Sequence, residues 1–258
     1  MAPPGFPRQF WNGLRDWWRE QSRQKGAAAA STFLVHELWA FLRDSTPERR
    51  QQRYGDMEYD WEYRVNTTSG TVGWRERLLG VFHSPYQPTD AALFQEMMAN
   101  LPIDFRDFTF VDLGSGKGRT LMMASDYPFR RIVGVELLPA LHQIAQENLS
   151  RYKSASQKCF VLEAICGNAT DFPLPTEPLV LYLFNPLPES GLRRVMASLD
   201  QSLSAHPRAV YVLYHNPLLE RVLGERAALT KMGGTPQYSI YAGKEHLFRS
   251  GSSAWDRR

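Results

Sequence analysis

The chain has 258 residues, a formal net charge of +3 and only two cysteines. Its length suits one α/β domain with an extension, and its small net charge does not argue for a nucleic-acid partner, so we expect none. Cys159 and Cys166 lack zinc-ligand spacing, which predicts two reduced structural thiols and no metal site.

The N-terminal region, residues 1–84, is predicted to be a helical and irregular extension. Residues 7–25 carry Trp, Phe and Leu on one helical face, with Arg on the rest. This pattern fits packing on the chain's own domain, a dimer or other surface contact, or a position on a membrane surface. A second amphipathic helix is predicted over 32–43. No signal peptide and no run of about 18 apolar residues is found, so we expect a cytoplasmic protein without a transmembrane segment.

Residues 51–88 are aromatic and irregular, and their pattern predicts no regular element. The stretch fits either a structural wrap around the main domain or part of a substrate lid. The sequence leaves both interpretations open.

From residue 90 onwards, apolar runs alternate with amphipathic helices. Helices are predicted over 90–100, 119–125, 138–152, 190–203 and from 218, and strands over 108–113, 131–136, 159–165, 179–184 and 209–214. Short β-like pieces within 227–248 predict an antiparallel pair at a sheet edge, followed by a disordered tail at 251–258. This alternation is typical of a parallel sheet covered on both faces. We therefore predict an α/β fold over residues 85–250, with a Rossmann-like, doubly wound, mostly parallel seven-stranded sheet and an antiparallel edge hairpin.

A glycine-rich loop, Gly114–Gly118, follows the first of these strands. A Walker A loop needs glycine where Val111 stands, and Ser or Thr where Gly118 stands. The dinucleotide fingerprint G-x-G-x-x-G also differs from the G-x-G-x-G spacing found here. Asp112, directly before the loop, would repel a pyrophosphate. A cofactor without phosphate, carrying positive charge, suits this loop better than a nucleotide does.

The run Asp112-Leu113-Gly114-Ser115-Gly116-Lys117-Gly118 resembles motif I of class I S-adenosylmethionine (AdoMet) dependent methyltransferases. The resemblance implies that the loop wraps the methionine part of AdoMet and that Glu136 binds the ribose hydroxyls. Asn168 and Ala169 stand where this family often has an Asp-Ala pair near the adenine amino group. The resemblance covers about residues 85–250, and the wider chain most resembles uncharacterised bacterial members. The implied cofactor residues are Asp112, Gly114, Ser115, Gly116, Gly118, Glu136, Leu137, Asn168 and Ala169.

Three candidate catalytic residues surround the implied methyl-transfer position. Asn185, followed by Pro186, resembles the first half of the Asn/Asp-Pro-Pro-aromatic motif of class I amino methyltransferases, and the next two residues depart from that motif. His215 ends the fifth predicted strand and is a candidate proton acceptor. Tyr86 precedes the helix before motif I, an arrangement similar to some seven-strand protein-lysine methyltransferases.

These features predict an AdoMet-dependent methyltransferase with a nitrogen acceptor, a protein lysine being one candidate. The identity of the acceptor stays open. The alternatives are a small-molecule N- or O-methyltransferase and a non-catalytic scaffold that binds AdoMet or a membrane. A Rossmann oxidoreductase is disfavoured by the loop spacing and by Asp112.

Overall fold

The computed structural model describes residues 54–67 and 88–244. The predicted helices at 7–25 and 32–43, Tyr86 and the predicted tail lie outside the described residues. So do the predicted domain boundaries at 84 and 250. The described elements are α1 (Tyr54–Tyr63), α2 (Ala91–Ala99), a 3-10 turn (Phe105–Asp107), β1 (Thr109–Leu113), α3 (Arg119–Ala124), β2 (Arg131–Glu136), α4 (Pro139–Arg151), β3 (Leu162–Cys166), β4 (Leu179–Phe184), α5 (Glu189–Ala205), β5 (Val210–His215), α6 (Glu220–Gly224), β6 (Leu229–Thr235) and β7 (Tyr238–Gly243).

The seven strands form one sheet in the order β3-β2-β1-β4-β5-β7-β6. The first five strands are parallel to one another. The last two strands are antiparallel to each other, and β7 lies between β5 and β6. The predicted fold class, including the antiparallel hairpin at the edge, is confirmed.

Both faces of the central strands are buried, because successive side chains of a strand point to opposite faces of the sheet. On one face, Phe110 and Tyr182 pack with Phe94 of α2 in an aromatic cluster. On the other face, Leu183 packs in a second cluster with Met196 of α5. This covering on both sides explains why β4 is a continuous apolar run and why β1 is mostly apolar.

Two elements differ from the sequence-based prediction. The third strand begins at Leu162 rather than at residue 159, and Phe160 and Val161 are exposed before it. Because β3 is an edge strand, an apolar run there does not mark the limits of pairing. The unpredicted helix α1 carries Tyr59 and Tyr63, whose rings lie 4.7 Å apart one helical turn from each other. The sequence of this helix shows no clear apolar stripe, and for that reason the helix was not predicted. Contacts between aromatic rings four residues apart stabilise it instead.

Both cysteines are free, Cys159 being buried and Cys166 exposed. In the described ranges, no helix is both long enough and apolar enough to cross a membrane.

Candidate cofactor site

The glycine loop leaves the carboxyl end of β1 with left-handed backbone at three positions. The φ angles are +89° at Gly114, +54° at Gly116 and +80° at Gly118. A Cβ atom placed on Gly114 would lie only 2.5 Å from the Cβ of Pro186, at the end of β4. Position 114 therefore requires glycine both for its backbone conformation and for the close approach of the two chain segments.

Glu136 braces this loop from the end of β2. Its side chain is buried, and Oε2 accepts a hydrogen bond of 2.8 Å from the backbone N–H of Gly116. Oε1 accepts a second bond of 2.8 Å from the N–H of Leu138. Burial raises the pKa of Glu136, although these backbone bonds oppose the rise. Each carboxylate oxygen keeps acceptor capacity for a further donor.

Asp112 is the second buried acid of the site, only 2% exposed. Burial, and then the charge of Glu136, raise the pKa of Asp112 to about 8, while a hydrogen bond from Thr120 opposes the rise. Its Oδ1 atom has no hydrogen-bond partner within the described part of the chain, and the same holds for the buried Oγ of Ser115. A cationic group placed beside Asp112 would favour its ionised form.

The end of β3 lies next to Glu136. The backbone N–H of Gly167 donates to the carbonyl oxygen of Glu136 at 2.9 Å. The side chain of Asn168, predicted to face adenine, is exposed, and its Oδ1 accepts a bond of 3.0 Å from Thr170 N within a turn. Leu137 exposes 44% of its surface beside them. Ala169 packs half-buried against the core.

Asn185 follows β4 with a strained backbone. Its φ is +44°, in the left-handed region that non-glycine residues rarely adopt. Its Oδ1 accepts a hydrogen bond of 3.0 Å from the hydroxyl of Tyr214 on β5. Burial raises the pKa of Tyr214 to about 12, so this hydroxyl keeps its proton as a donor. The amide orientation of Asn185 is thus fixed by the neighbouring strand.

His215, at the end of β5, lies in a chain of buried polar groups. Its Nδ1 is 2.8 Å from the hydroxyl of Tyr182, which is 2.9 Å from Oγ1 of Thr89. The imidazole stacks on Phe184 with ring centroids 3.7 Å apart. Burial lowers the pKa of His215 to about 4, against the opposing charge of Asp90. The ring is therefore neutral near pH 7.

The predicted site residues converge at one edge of the sheet, because the carboxyl ends of β1 to β5 all face that edge. The glycine loop contacts the end of β4, Glu136 contacts the loop, and Asn185 and His215 end neighbouring strands. Tyr86 lies outside the described residues. Among the residues that are described, no group of three His, Cys, Asp or Glu side chains is arranged to hold a metal ion.

Neither a protein-family model nor a curated protein sequence matches the chain. Solved structures do resemble it. An RNA methyltransferase from Salinibacter ruber, in complex with S-adenosyl-L-homocysteine, is 21% identical, with 61% of this chain and 92% of that chain covered and a TM-score of 0.42. A TehB-like SAM-dependent methyltransferase from Corynebacterium glutamicum is 14% identical, with 59% and 85% covered and a TM-score of 0.40. A predicted N6-adenine-specific DNA methylase from Listeria monocytogenes is 17% identical, with 60% and 51% covered and a TM-score of 0.44.

The chain has the Rossmann-like, seven-stranded fold that the motif I resemblance implies, with an antiparallel β7 between β5 and β6. The resemblance drawn from motif I is confirmed at the level of the fold. What the similar structures bind or modify is a property of those proteins.

The prediction that the chain has no nucleic-acid partner is wrong. Two of the three similar structures are named as RNA and DNA methyltransferases. The ground for the exclusion was the total net charge, and a total does not show how Lys and Arg are distributed over the surface.

The sequence analysis missed a buried polar cluster behind the glycine loop. Lys117 of the loop is fully buried, and Asn148 of α4 is nearly so. The sequence did carry one signal, because Asn148 follows Leu141 and Ala145 at helical spacing on the buried face of α4. A polar residue on such a face needs a hydrogen-bond partner, which is a reason to look for one.

Proposed function

We propose that this chain is a methyltransferase that transfers the methyl group of AdoMet to a nitrogen nucleophile. The observation that carries the proposal is the pair of buried carboxyl groups, Asp112 and Glu136, at a left-handed glycine loop. Two neighbouring acids disfavour a pyrophosphate and favour a ligand that brings positive charge and a diol. AdoMet has both, and it carries no phosphate.

The residues proposed to hold AdoMet contact different parts of the cofactor, according to their chemistry. Asp112, with its unpartnered Oδ1, would face the positive charges of the methionine part. Glu136 would accept hydrogen bonds from the ribose hydroxyls through its remaining lone pairs. The exposed side chain of Leu137 would cover the adenine. Gly114, Ser115, Gly116, Gly118, Asn168 and Ala169 complete the proposed set.

When bound, AdoMet supplies a methyl group that its sulfonium already activates. The chain's own residues then have to orient the acceptor and keep water out. The amide of Asn185 is proposed to orient the acceptor nitrogen, since Tyr214 and a strained backbone hold it in one direction. His215 is proposed, from its place at the end of β5 beside the end of β4, to take the proton that the acceptor loses. Its ring is neutral near pH 7, and a pKa of about 4 makes it a weak base. Tyr86 is a third proposed contributor.

The nitrogen acceptor is proposed as a class, with a protein lysine as one member. An amide oxygen such as Oδ1 of Asn185 accepts from an amino group as well as from Tyr214, because it has two lone pairs. An amino group on a nucleobase offers the same N–H donors. Both kinds of acceptor therefore belong in the substrate panel.

Calorimetric titration tests the cofactor, with AdoMet, S-adenosylhomocysteine and NADH as ligands. We expect both adenosyl ligands to bind the wild type, NADH not to bind, and Asp112→Ala to lose the binding. Radiolabelled AdoMet, incubated with protein, RNA, DNA and small amines, then identifies the acceptor. Binding of NADH in preference to AdoMet would overturn the proposal, and label on hydroxyl acceptors alone would overturn its nitrogen part.

A further inference from the structure

A short segment that precedes the main domain in sequence contacts the polar cluster behind the glycine loop, at Lys117 and Asn148. This segment, Tyr59–Thr67, comprises the second half of α1 and the four residues after it, and we call it the docking segment. It lies in the same compact unit as the sheet. Its hydrogen bonds with the glycine loop, α3 and α4 are part-buried or buried.

Asn66 forms a reciprocal pair with Asn148 of α4. The backbone N–H of Asn66 donates to Oδ1 of Asn148 at 2.8 Å, and Nδ2 of Asn148 donates to the carbonyl of Asn66 at 3.0 Å. The same Nδ2 also donates to the carbonyl of Lys117 at 2.9 Å. One buried amide therefore joins the docking segment to the backbone of the glycine loop.

The side chain of Lys117 makes the opposite connection. It leaves the loop and reaches the docking segment, where Nζ donates to Oδ1 of Asn66 at 3.2 Å. Burial lowers the pKa of Lys117 to about 8, and the charge of Asp60 opposes that shift. Both carboxylate oxygens of Asp60 lie 2.8 Å from the backbone nitrogen of Thr67, which closes the segment on itself.

Arg119, on the other side of Gly118, is held by the same segment. It is only 5% exposed, and its Nη1 donates to Oγ1 of Thr67 at 3.3 Å. Its guanidinium lies 4.3 Å from the centre of the Tyr59 ring. The two residues that flank Gly118 are thus both anchored outside the sheet.

We infer that the docking segment is a positioning element of the cofactor site, and that its docking is coupled to AdoMet binding. The inference rests on the proposed function. Glycines lose more backbone freedom on ordering than other residues, so a loop with three of them is costly to fix. Contacts that hold the loop in advance reduce the cost of binding. Because such coupling is reciprocal, AdoMet must in turn stabilise the docked segment.

Two measurements on the full chain test this inference. Asn66→Ala removes the Lys117 contact, and we expect it to weaken AdoMet binding roughly tenfold or more in calorimetric titration. Trp61→Ala is the matched control, since Trp61 is in the same segment but is 88% exposed; its affinity should match the wild type. In the wild type, AdoMet should also slow hydrogen exchange at the backbone amides of the docking segment more than at those of β6, which lies at the far edge of the sheet.

A merely structural role would lower the melting temperature of Asn66→Ala without AdoMet-dependent protection of the segment. Protection of the docking segment no greater than that of β6, or equal affinities in wild type and Asn66→Ala, would overturn the inference alone. Failure of the wild type to bind AdoMet would overturn the proposed function, and this inference with it. The exchange measurement needs only the wild type, so it decides even where the variant does not fold.

Discussion

Asp112 combines deep burial, a neighbouring acid and an oxygen without a described partner, and this combination is unfavourable in the unliganded protein. Its raised pKa, about 8, means that the group is mostly neutral at pH 7. Burial of the ionised form costs free energy unless a counter-charge is present. The Asp112 carboxyl is therefore suited to binding a cationic group.

Asp112 makes AdoMet binding pH-dependent. Below the folded pKa of about 8 the carboxyl is neutral, and a cationic ligand favours its ionised form, so affinity rises with pH. We expect a rise of up to about tenfold per pH unit between about pH 6 and about pH 7.5, where the amino group of AdoMet keeps its charge. Calorimetry across this range measures the slope. Asp112→Asn should bind weakly, with a nearly flat profile.

The same pKa predicts the stability of the unliganded protein. A carboxyl whose pKa is higher in the folded state stabilises it at low pH, and this stabilisation is lost as pH rises towards about 8. Asp112→Asn should therefore be more stable than the wild type near pH 8, by at least about 1 kcal/mol in urea unfolding. An equal stability of the two proteins, with equal pH slopes for AdoMet, would contradict this role of Asp112.

Asn185 gives a separate prediction, for turnover rather than for cofactor binding. Asn185→Gly removes the amide and keeps the left-handed backbone that glycine adopts freely, so the fold should be retained. We expect kcat to fall by about 100-fold, as for other preorganised polar groups, while the Kd for AdoMet changes little. Steady-state kinetics and calorimetry measure the two quantities.

Asn216→Gly is the control for Asn185→Gly. Asn216 has a similar left-handed φ of +49° at the end of the neighbouring strand, but it has no proposed contact with the acceptor. Its turnover should stay near that of the wild type. A parallel loss of AdoMet affinity and turnover in Asn185→Gly would instead place Asn185 in the cofactor site.

The helix α3 begins directly after Gly118 and packs on β2. Gly134 in β2 permits this close packing. A Cβ atom at position 134 would lie 2.6 Å from Cδ1 of Leu121 and 2.7 Å from Cβ of Ser115. The first contact is with α3, and the second is with the loop itself.

Gly134→Ala should therefore separate α3 and the loop from β2. We expect a loss of about 1–3 kcal/mol in the free energy of unfolding, together with weaker AdoMet binding, because overpacking shifts a well-packed core. Gly233→Ala in β6 is the matched control, since a Cβ atom there meets nothing within 4 Å. Chemical unfolding of both variants measures the difference. Similar losses in the two variants would show that the strand glycines act through backbone freedom and not through contact.

How well the sequence predicted the structure differs from one element to another. β1, β2 and β4 are largely apolar and buried, and their positions agree with the prediction within about one residue. The sequence could predict that Glu136 lies near motif I, because a glycine loop and the acid that ends the next strand are close in sequence; their roles in cofactor binding stay predictions. The role of Asn66 depends on a contact with Asn148, which lies 82 residues away, and no local pattern contains such a contact.

Across the whole sheet, the strand order reverses between β1 and β4, since β2 and β3 lie on one side and β5 to β7 on the other. In open α/β sheets, ligands bind at the carboxyl ends of the strands where this reversal occurs. Gly114 and Pro186 meet across that point. A ligand seated there contacts both halves of the sheet, so it should stabilise the domain as a unit.

AdoMet should therefore raise the melting temperature of the whole domain in one transition. At a free concentration about 100 times its Kd, a ligand that binds only the folded state adds about 2.7 kcal/mol. For a domain of this size, that free energy corresponds to a rise of about 5–10 °C. Scanning calorimetry measures the rise, with NADH as the negative ligand control. Gly114→Ala is the negative protein control, because the Cβ atom added at position 114 would displace Pro186. A rise confined to one of two separate transitions would mean that the two halves of the sheet unfold independently and that the ligand contacts only one of them.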